Sequence, residues 1–369
     1  MKTYGPVVSG REYQGILSTV TRTNQRLISE GRQPIPLCVW GLAGVGKTQS
    51  IRDFALREKF HFLQINPAQF EEMGDITGMP RVHDSGTPND PLDDVTLYIM
   101  PEWAKRMHNL GGNGILLLDD VNRADDRILR GIMQLLQDRR MFNWHLPQGW
   151  QIMLTANPDG ADFSVTPMDD AILTRMMHCT MQFEKEAWAE WATANGVDAR
   201  GISFVLAYPE LIGRGRTTPR SLTYLFEHLR PIPDLKAEIS RISLLASSCI
   251  DTEAASSLVA FCATSLAQLP SPEDLLSQEW ATIQPKLERA VFDEAKNPRV
   301  DCLTVMVQRV VAYARTQTDL PSRQARANLR EFLLWDRTPR EIVRLVRVSA
   351  VGVPYLGFIE GDDAITQRA

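Results

Sequence analysis

The stretch that most constrains the fold is a glycine-rich run at residues 41–48, Gly-Leu-Ala-Gly-Val-Gly-Lys-Thr. It fits the phosphate-loop pattern G-x-x-x-x-G-K-[ST]. The apolar segment 35–40 before it predicts a buried strand, and residues 49–58 after it predict a helix. A strand that turns directly into a helix leaves backbone N–H groups free to surround phosphate oxygens. The run therefore predicts a nucleoside triphosphate site, and the alternative is a glycine-rich turn that binds nothing.

Two side chains of this loop carry most of the expected chemistry. Lys47 is expected to reach the β- and γ-phosphates, and Thr48 is expected to place its hydroxyl on Mg²⁺. The residues expected to line the nucleotide are Gly41, Ala43, Gly44, Val45, Gly46, Lys47, Thr48 and Gln49.

A second signal is the aliphatic run 115–118, which leads into Asp119 and Asp120. Such a run predicts a fully buried parallel strand whose carboxylates emerge at its C-terminal end, where ligands bind in open α/β sheets. We expect Asp119 to hold Mg²⁺ through water opposite Thr48, and Asp120 to orient the attacking water. We also expect the two motifs to lie on adjacent parallel strands. The alternative is that the two acids simply cap the next helix.

Two further strands end in polar candidates. Residues 151–156 predict a buried strand that ends at Asn157, whose amide either contacts the γ-phosphate and the lytic water or forms an Asx turn before proline. Residues 176–183 predict the last strand of the sheet, and Arg175 comes just before it. From residue 184 helices take over, and Arg220 is expected in the first turn of one that starts at Thr218-Pro219.

The rest of the chain gives coarser expectations. Residues 80–96 predict a loop because they are polar and rich in proline and aspartate, and residues 357–369 predict a frayed tail. Trp144 lies near a predicted hairpin tip, where it either grips a client in a central pore or packs against a neighbouring helix. Predicted elements elsewhere are a leading helix from Ser9 to about Gly31, a strand at 60–65, and helices at 101–111 and 125–139.

Composition excludes few function classes. Hydrophobic content of 44%, charged content of 23% and a net charge of −5 are those of an ordinary globular protein, and they argue against binding nucleic acid over the whole surface. The five cysteines lack CxxC spacing and are expected to be reduced, buried thiols. No apolar leader and no bilayer-length apolar stretch is visible, so we expect a cytoplasmic protein without a membrane partner.

The ordered set of motifs resembles a known family. The segments GLAGVGKT, ILLLDDVNRA, IMLTANP, ILTRM and TTPRSL look like those of the AAA+ ATPases, and Asn122-Arg123 with Asn157-Pro158 is most similar to the MoxR branch. The resemblance covers roughly residues 30–265. It implies ATP as the nucleotide, and an α/β P-loop NTPase fold with a parallel sheet sandwiched by helices, then an all-helical lid and a helical C-terminal region. The implied domains are 1–183, 184–265 and 266–369, the last of unassigned role.

The resemblance also implies roles residue by residue. Lys47 and Thr48 match the Walker A lysine and hydroxyl, Asp119 the Walker B metal carboxylate, and Asn157 the sensor-1 residue. Arg175 matches the arginine finger that enters the neighbouring subunit's site.

Arg220 matches the sensor-2 arginine of the lid, although Arg214 or Arg216 could serve instead. The alternative for Arg175 and Arg220 is a surface salt bridge. Asp120 departs from the usual Glu and is one methylene shorter, so slow but real hydrolysis is expected.

The family implies a homo-oligomeric, hexameric ring that remodels a client protein. It also implies a separate partner with a von Willebrand A domain, because this chain has no D-x-S-x-S metal loop.

Two other functions stay open. The first is a nucleic-acid-linked AAA+ ATPase, clamp-loader-like or DNA-translocating, using basic C-terminal helices whose arginines could equally be solvated or ion-paired. These arginines are Arg323, Arg326, Arg330, Arg337, Arg340, Arg344 and Arg347. The second is a scaffold that binds ATP without turnover.

Overall fold

The buried aliphatic runs of the first half form one six-stranded parallel sheet. The computed structural model describes residues 3–83, 95–158, 165–213, 215–263, 269–292 and 296–369. The strands of the sheet are β1 Val7–Val8, β2 Leu37–Trp40, β3 His61–Ile65, β6 Gly114–Leu118, β9 Trp150–Ala156 and β10 Met177–Met181. Their spatial order is β1-β10-β2-β9-β6-β3, and every pair is parallel.

The sheet is covered on both faces, which explains why its strands read as continuous apolar runs. Along β6, Leu116 and Leu118 belong to one hydrophobic cluster, whereas Ile115 and Leu117 belong to the other. Helices complete both clusters. Those of the first half are α1 Gly10–Ser29, α2 Lys47–Arg57, α3 Gly74–Thr77, α4 Glu102–Leu110, α5 Asp126–Asp138 and α6 Asp170–Leu173. The predicted strands and helices of this half are therefore confirmed to within a few residues, while β1 was not predicted.

The predicted loop at 80–96 is wrong at both of its ends. Strands β4 (Met79–His83) and β5 (Val95–Ile99) pair antiparallel there, and residues 84–94 lie outside the described chain. The apolar side chains of this hairpin, for example Met79 and Val82, are exposed. Its strands therefore lack the alternation of buried apolar and exposed polar residues that predicts a strand.

A second hairpin joins β7 (Arg140–Met141) to β8 (Trp144–His145), so its turn lies at residues 142–143 and Trp144 is in a strand, not at the tip as predicted. Trp144 is buried, and its indole Nε1 donates to the Thr77 carbonyl at 2.8 Å. The tryptophan therefore packs inside the protein rather than presenting its ring to a client.

The second half is all helical, and no described helix is long and apolar enough to cross a membrane. Its helices are α7 Lys185–Ala194, α8 Ala199–Ala207, α9 Pro219–Leu229, α10 Ile239–Cys249, α11 Thr252–Ala263, α12 Pro272–Ser277, α13 Trp280–Val291, α14 Val300–Thr316, α15 Arg323–Leu334, α16 Arg340–Ala350 and α17 Asp363–Arg368. The predicted frayed tail is wrong, because α17 docks with Ile365 fully buried.

Two compact units divide the chain at Gln182/Phe183. In the second unit, one hydrophobic cluster draws residues both from 184–265 and from 266–369, for example Phe226 and Phe332. The separation of this half into a lid and a C-terminal region stays a prediction. All five cysteines are free thiols; four are buried as expected, whereas Cys249 is half-buried. Burial raises the pKa of Cys179 to about 12.

Candidate nucleotide-binding site

The phosphate loop connects β2 to α2 by a sharp turn that depends on glycine. Gly44 and Gly46 have φ of +75° and +105°, a region that residues with a Cβ rarely adopt. A Cβ on Gly41 would come within 2.8 Å of the Met181 carbonyl oxygen. Helix α2 begins at Lys47, and no side chain caps its first turn. Its N-terminal N–H groups are therefore not occupied by a side-chain cap, which suits a phosphate group.

Lys47 lies almost fully buried beneath this loop, with 5% of its surface exposed. Its ammonium Nζ donates to the Gly41 carbonyl at 2.7 Å and to the Leu42 carbonyl at 3.2 Å. It also donates to Asn157 Oδ1 at 3.1 Å. Lys47 is thus hydrogen-bonded to Asn157 at the polar end of β9, although the phosphate loop and this strand end were predicted as separate motifs.

Thr48 and Asp119 meet directly, because the Thr48 hydroxyl donates to Asp119 Oδ1 at 2.6 Å. The same carboxylate accepts from the Thr155 hydroxyl at 2.6 Å and from Gln64 Nε2 at 2.8 Å. A hydroxyl and a carboxylate in contact are two of the oxygen ligands that Mg²⁺ prefers, the others being waters and phosphate oxygens. The residues present therefore fit a magnesium ion.

Asp120 adopts the left-handed conformation, with φ of 50° and ψ of 45°. Its N–H donates to the Thr155 hydroxyl at 2.8 Å, and its Oδ1 accepts from Asn157 Nδ2 at 3.0 Å. Its other oxygen lies 3.3 Å from Arg123 Nε. The acids do not cap α5, whose N-cap is Asp125. Asp and Asn tolerate the left-handed region better than longer residues do, which rationalises a short acid here.

Asn157 connects the loop lysine to the second acid. Its side chain is fully buried, accepting from Lys47 through Oδ1 and donating to Asp120 through Nδ2. Its backbone is fixed by Asn122, which accepts from the Asn157 N–H at 3.0 Å and donates to the Asn157 carbonyl at 2.7 Å. Two hydrogen bonds therefore orient the side-chain amide and two more fix the backbone that carries it, so a local turn alone does not place it.

The two motif strands are not adjacent, which corrects the prediction. Strand β9 lies between β2 and β6, so its polar C-terminal end separates the loop from the acids. This order explains why Asn157 reaches both sides. The fold is that of an α/β P-loop NTPase. The apolar pattern alone could not reveal the order, because each run is buried on both faces.

The described hydrogen bonds of Arg175 lie within the first unit and do not include the residues of this site. Arg175 donates through Nε and Nη2 to Gln137 Oε1, at 3.0 and 2.9 Å. Arg220 lies exposed in the first turn of α9, in the second unit. Arg216 donates to the Ile250 carbonyl at 2.9 Å, and Arg214 lies outside the described residues. The finger and sensor roles stay predictions.

Three residues of the site were not predicted: Gln64, Thr155 and Asn122. Thr155 could have been found, because residues two apart on a strand share a face, and it precedes Asn157 by two. Gln64 lies near the end of β3, which neighbours β6 in the sheet. Its proximity to Asp119 therefore depends on the order of the strands. Gln49, predicted to line the nucleotide, is exposed and donates to Asp53 Oδ1 at 2.7 Å.

Comparison with known proteins gives only distant likenesses. No protein-family model and no curated protein sequence matches the chain. Among solved structures, it is similar to the RuvB Holliday junction branch migration motor of Thermotoga maritima, with 12% identity, a TM-score of 0.39, and coverage of 76% of this chain and 88% of that one. A single-residue variant of that protein gives 13% and 0.41 over the same shares.

A protein from Cytophaga hutchinsonii, assigned provisionally as an ATPase, gives 12% identity and a TM-score of 0.35 over 98% of this chain and 90% of that one. Likenesses at this level transfer no function, so the fold assignment here rests on the strand order and the phosphate loop.

Proposed function

We propose that this protein is an ATPase of the AAA+ class that binds ATP·Mg²⁺ and hydrolyses it. The observation that supports this proposal is the convergence of Lys47, Thr48 and Asp119 around the polar end of β9. One buried cation, one hydroxyl and one carboxylate match the needs of a magnesium-bound triphosphate. ATP is inferred as the nucleotide through the motif resemblance.

Each residue of the site has a distinct role in the proposed binding and hydrolysis of ATP. Lys47 and the N–H groups of the loop bind the β- and γ-phosphates, while Thr48 and Asp119 hold Mg²⁺, which when bound offsets charge on the phosphate oxygens. Asp120 and Asn157 orient the attacking water, and the Asn157–Asp120 hydrogen bond at 3.0 Å keeps the two in one position. Because Asp120 is shorter than the usual Glu, turnover is slow.

The proposal also includes a cyclic oligomer in which Arg175 acts on a neighbouring subunit. Arg175 carries a planar, fixed charge suited to a γ-phosphate, and in a cyclic assembly it would complete the neighbouring subunit's site. Within its own chain the guanidinium of Arg175 donates to Gln137 Oε1 and to the Ala171 carbonyl of α6. Arg220 would read nucleotide state from the helical unit.

A MoxR-type cellular role follows from the motifs alone. The protein would remodel or activate a client in the cytoplasm, together with a separate chain that carries a von Willebrand A domain. A hexamer is the assembly that this resemblance favours.

Nucleic acid is the less favoured partner, because several arginines of the basic C-terminal segment already have partners within the second unit. Arg330 Nε lies 2.7 Å from Asp362, and Arg337 Nη1 lies 3.4 Å from Glu288. Arg326 lies over the Phe358 ring, with 5.8 Å to its centroid. The two ion-paired arginines offer less free charge to a phosphate backbone.

The test is a phosphate-release assay on the purified chain with ATP or GTP, with and without Mg²⁺ and duplex DNA. The proposal predicts Mg²⁺-dependent release that prefers ATP and ignores DNA. Strong stimulation by DNA that falls steeply with salt would favour the nucleic-acid function instead. Binding of ATP without any release would favour the scaffold.

A further inference from the structure

The carboxylate of Asp119 is connected to helix α2 by two routes. The direct route is the Thr48 hydroxyl, which donates to Asp119 Oδ1 at 2.6 Å. The second route passes through β3, where Gln64 Nε2 donates to Asp119 Oδ2 at 2.8 Å and Arg52 Nη2 donates to Gln64 Oε1 at 2.7 Å. Thr48 and Arg52 are four residues apart on α2 and so lie on one face of the helix. The two routes therefore form a closed ring of contacts.

The partners of Gln64 determine which way its amide points. A guanidinium can only donate hydrogen bonds, and an ionised carboxylate can only accept them. The carbonyl oxygen of Gln64 therefore faces Arg52, and its NH₂ group faces Asp119. The reverse orientation would lose both hydrogen bonds. Arg52 thus keeps the amide in the orientation that lets it donate to the carboxylate.

Arg52 is held in place although it is exposed on the surface of α2. Its guanidinium lies over the Phe62 ring, 5.5 Å from the ring centroid. Phe62 and Gln64 are two residues apart on β3, so they share one face of the strand. The arginine therefore contacts two neighbouring side chains of β3, stacking on one and donating to the other.

We propose that Gln64 and Arg52 are positioning residues for the metal carboxylate, a role that rests on the proposed binding of ATP·Mg²⁺. Thr48 and Thr155 hold Asp119 Oδ1 while Gln64 holds Oδ2, so both oxygens of the carboxylate are fixed independently of the metal. Loss of such outer partners weakens metal binding about 10–100-fold. Gln64 acts on Asp119 directly, and Arg52 acts through Gln64.

The test is calorimetric titration of the full chain with a slowly hydrolysed ATP analogue, once with Mg²⁺ and once with excess EDTA. Gln64→Leu removes the amide at similar size. We expect it to weaken binding of the Mg²⁺ complex about tenfold and to leave the affinity in EDTA unchanged. A merely structural role would lower both affinities, so the comparison isolates the contribution of the metal.

A second arginine–glutamine pair on α2 provides the matched control. Arg57 Nη2 donates to Gln14 Oε1 at 3.0 Å, and its guanidinium lies 5.4 Å from the Phe54 ring centroid. Arg57→Met and Gln14→Leu therefore remove contacts of the same kind that do not involve Asp119. Both variants should bind the Mg²⁺ complex as tightly as the parent.

Substitutions of Arg52 test whether it acts through Gln64. Arg52→Met should weaken binding of the Mg²⁺ complex about threefold or more, and Arg52→Lys, which keeps a donor for Gln64 Oε1, should restore most of the loss. In the Gln64→Leu background, Arg52→Met should have no further effect.

The inference is overturned if Gln64→Leu binds the Mg²⁺ complex as tightly as the parent, if it loses affinity equally in EDTA, or if the effects of the two substitutions add. If the parent itself gains no affinity from Mg²⁺, the proposed magnesium site fails and the inference fails with it.

Discussion

Among the side chains of the nucleotide site, the Asp119 carboxylate accepts the most hydrogen bonds. It accepts from Thr48, Thr155 and Gln64, and it is the proposed Mg²⁺ ligand. Asp119→Asn keeps the shape but removes the charge, so we predict a loss of Mg²⁺-dependent phosphate release on the order of a hundredfold or more. Asp53→Asn on α2 is a matched control that should keep activity. Equal activity in both variants would contradict the metal role.

A substitution at Asp120 can distinguish ATP hydrolysis from ATP binding. Asn tolerates the left-handed backbone that this position requires, so Asp120→Asn should fold normally and still bind ATP. We predict that single-turnover phosphate release falls on the order of 10²–10⁴-fold, because the group that orients the water loses its charge. A scaffold without turnover would instead behave the same before and after the substitution.

At the scale of elements, β9 connects the phosphate loop to the acidic strand. The buried Thr155 hydroxyl donates to Asp119 and accepts from the Asp120 N–H, so Thr155→Val leaves two polar groups short of a partner. We predict that the free energy of unfolding falls by about 1–3 kcal/mol, measured by urea denaturation.

Ser248→Ala provides the comparison for this element. Among the described residues its exposed hydroxyl bonds only to the Leu244 carbonyl one turn earlier in α10, so the change should stay within about 0.5 kcal/mol. Equal losses in the two variants would mean that the β9 network adds no stability.

Prediction from sequence succeeded for elements whose pattern is locally complete. The strand at Ile115–Leu118 is buried throughout, and the glycine-rich turn into α2 has a fixed spacing, so both could be located. The hairpin of β4 and β5 could not, because its apolar residues face outward. The order of the strands in the sheet could not be predicted either, since neighbouring strands are far apart in the chain. For the same reason neither the contact of Gln64 with Asp119 nor the central position of β9 could be predicted.

At the scale of the whole molecule, the proposed ring depends on Arg175. If this side chain completes the neighbouring site, Arg175→Ala should bind ATP normally yet lose turnover by about 10³-fold or more. Mixing it with Asp120→Asn should restore part of the activity, because some interfaces then combine an intact Asp120 with an intact Arg175. Light scattering would follow assembly. Full activity of the Arg175→Ala variant as a monomer would rule out the trans role.

The helical unit includes residues 266–369, whose role the sequence left unassigned. A hydrophobic cluster of its described residues spans Trp188 to Ile365. The sequence predicted that this half is helical and gave the start of one helix at Thr218-Pro219, whereas the burial of Arg309 on α14 could not be read from the pattern. Residues 266–369 therefore contribute to a folded body rather than to a loose extension.

The central claim is that Lys47, Thr48 and Asp119 together bind one magnesium-bound triphosphate. The most direct measurement is isothermal titration of the full chain with ATP in the presence of Mg²⁺. We predict one site per chain, with binding lost in Lys47→Ala and weakened in Asp119→Asn only when Mg²⁺ is present. No heat of binding from the unaltered protein, or undiminished binding by Lys47→Ala, would contradict the claim.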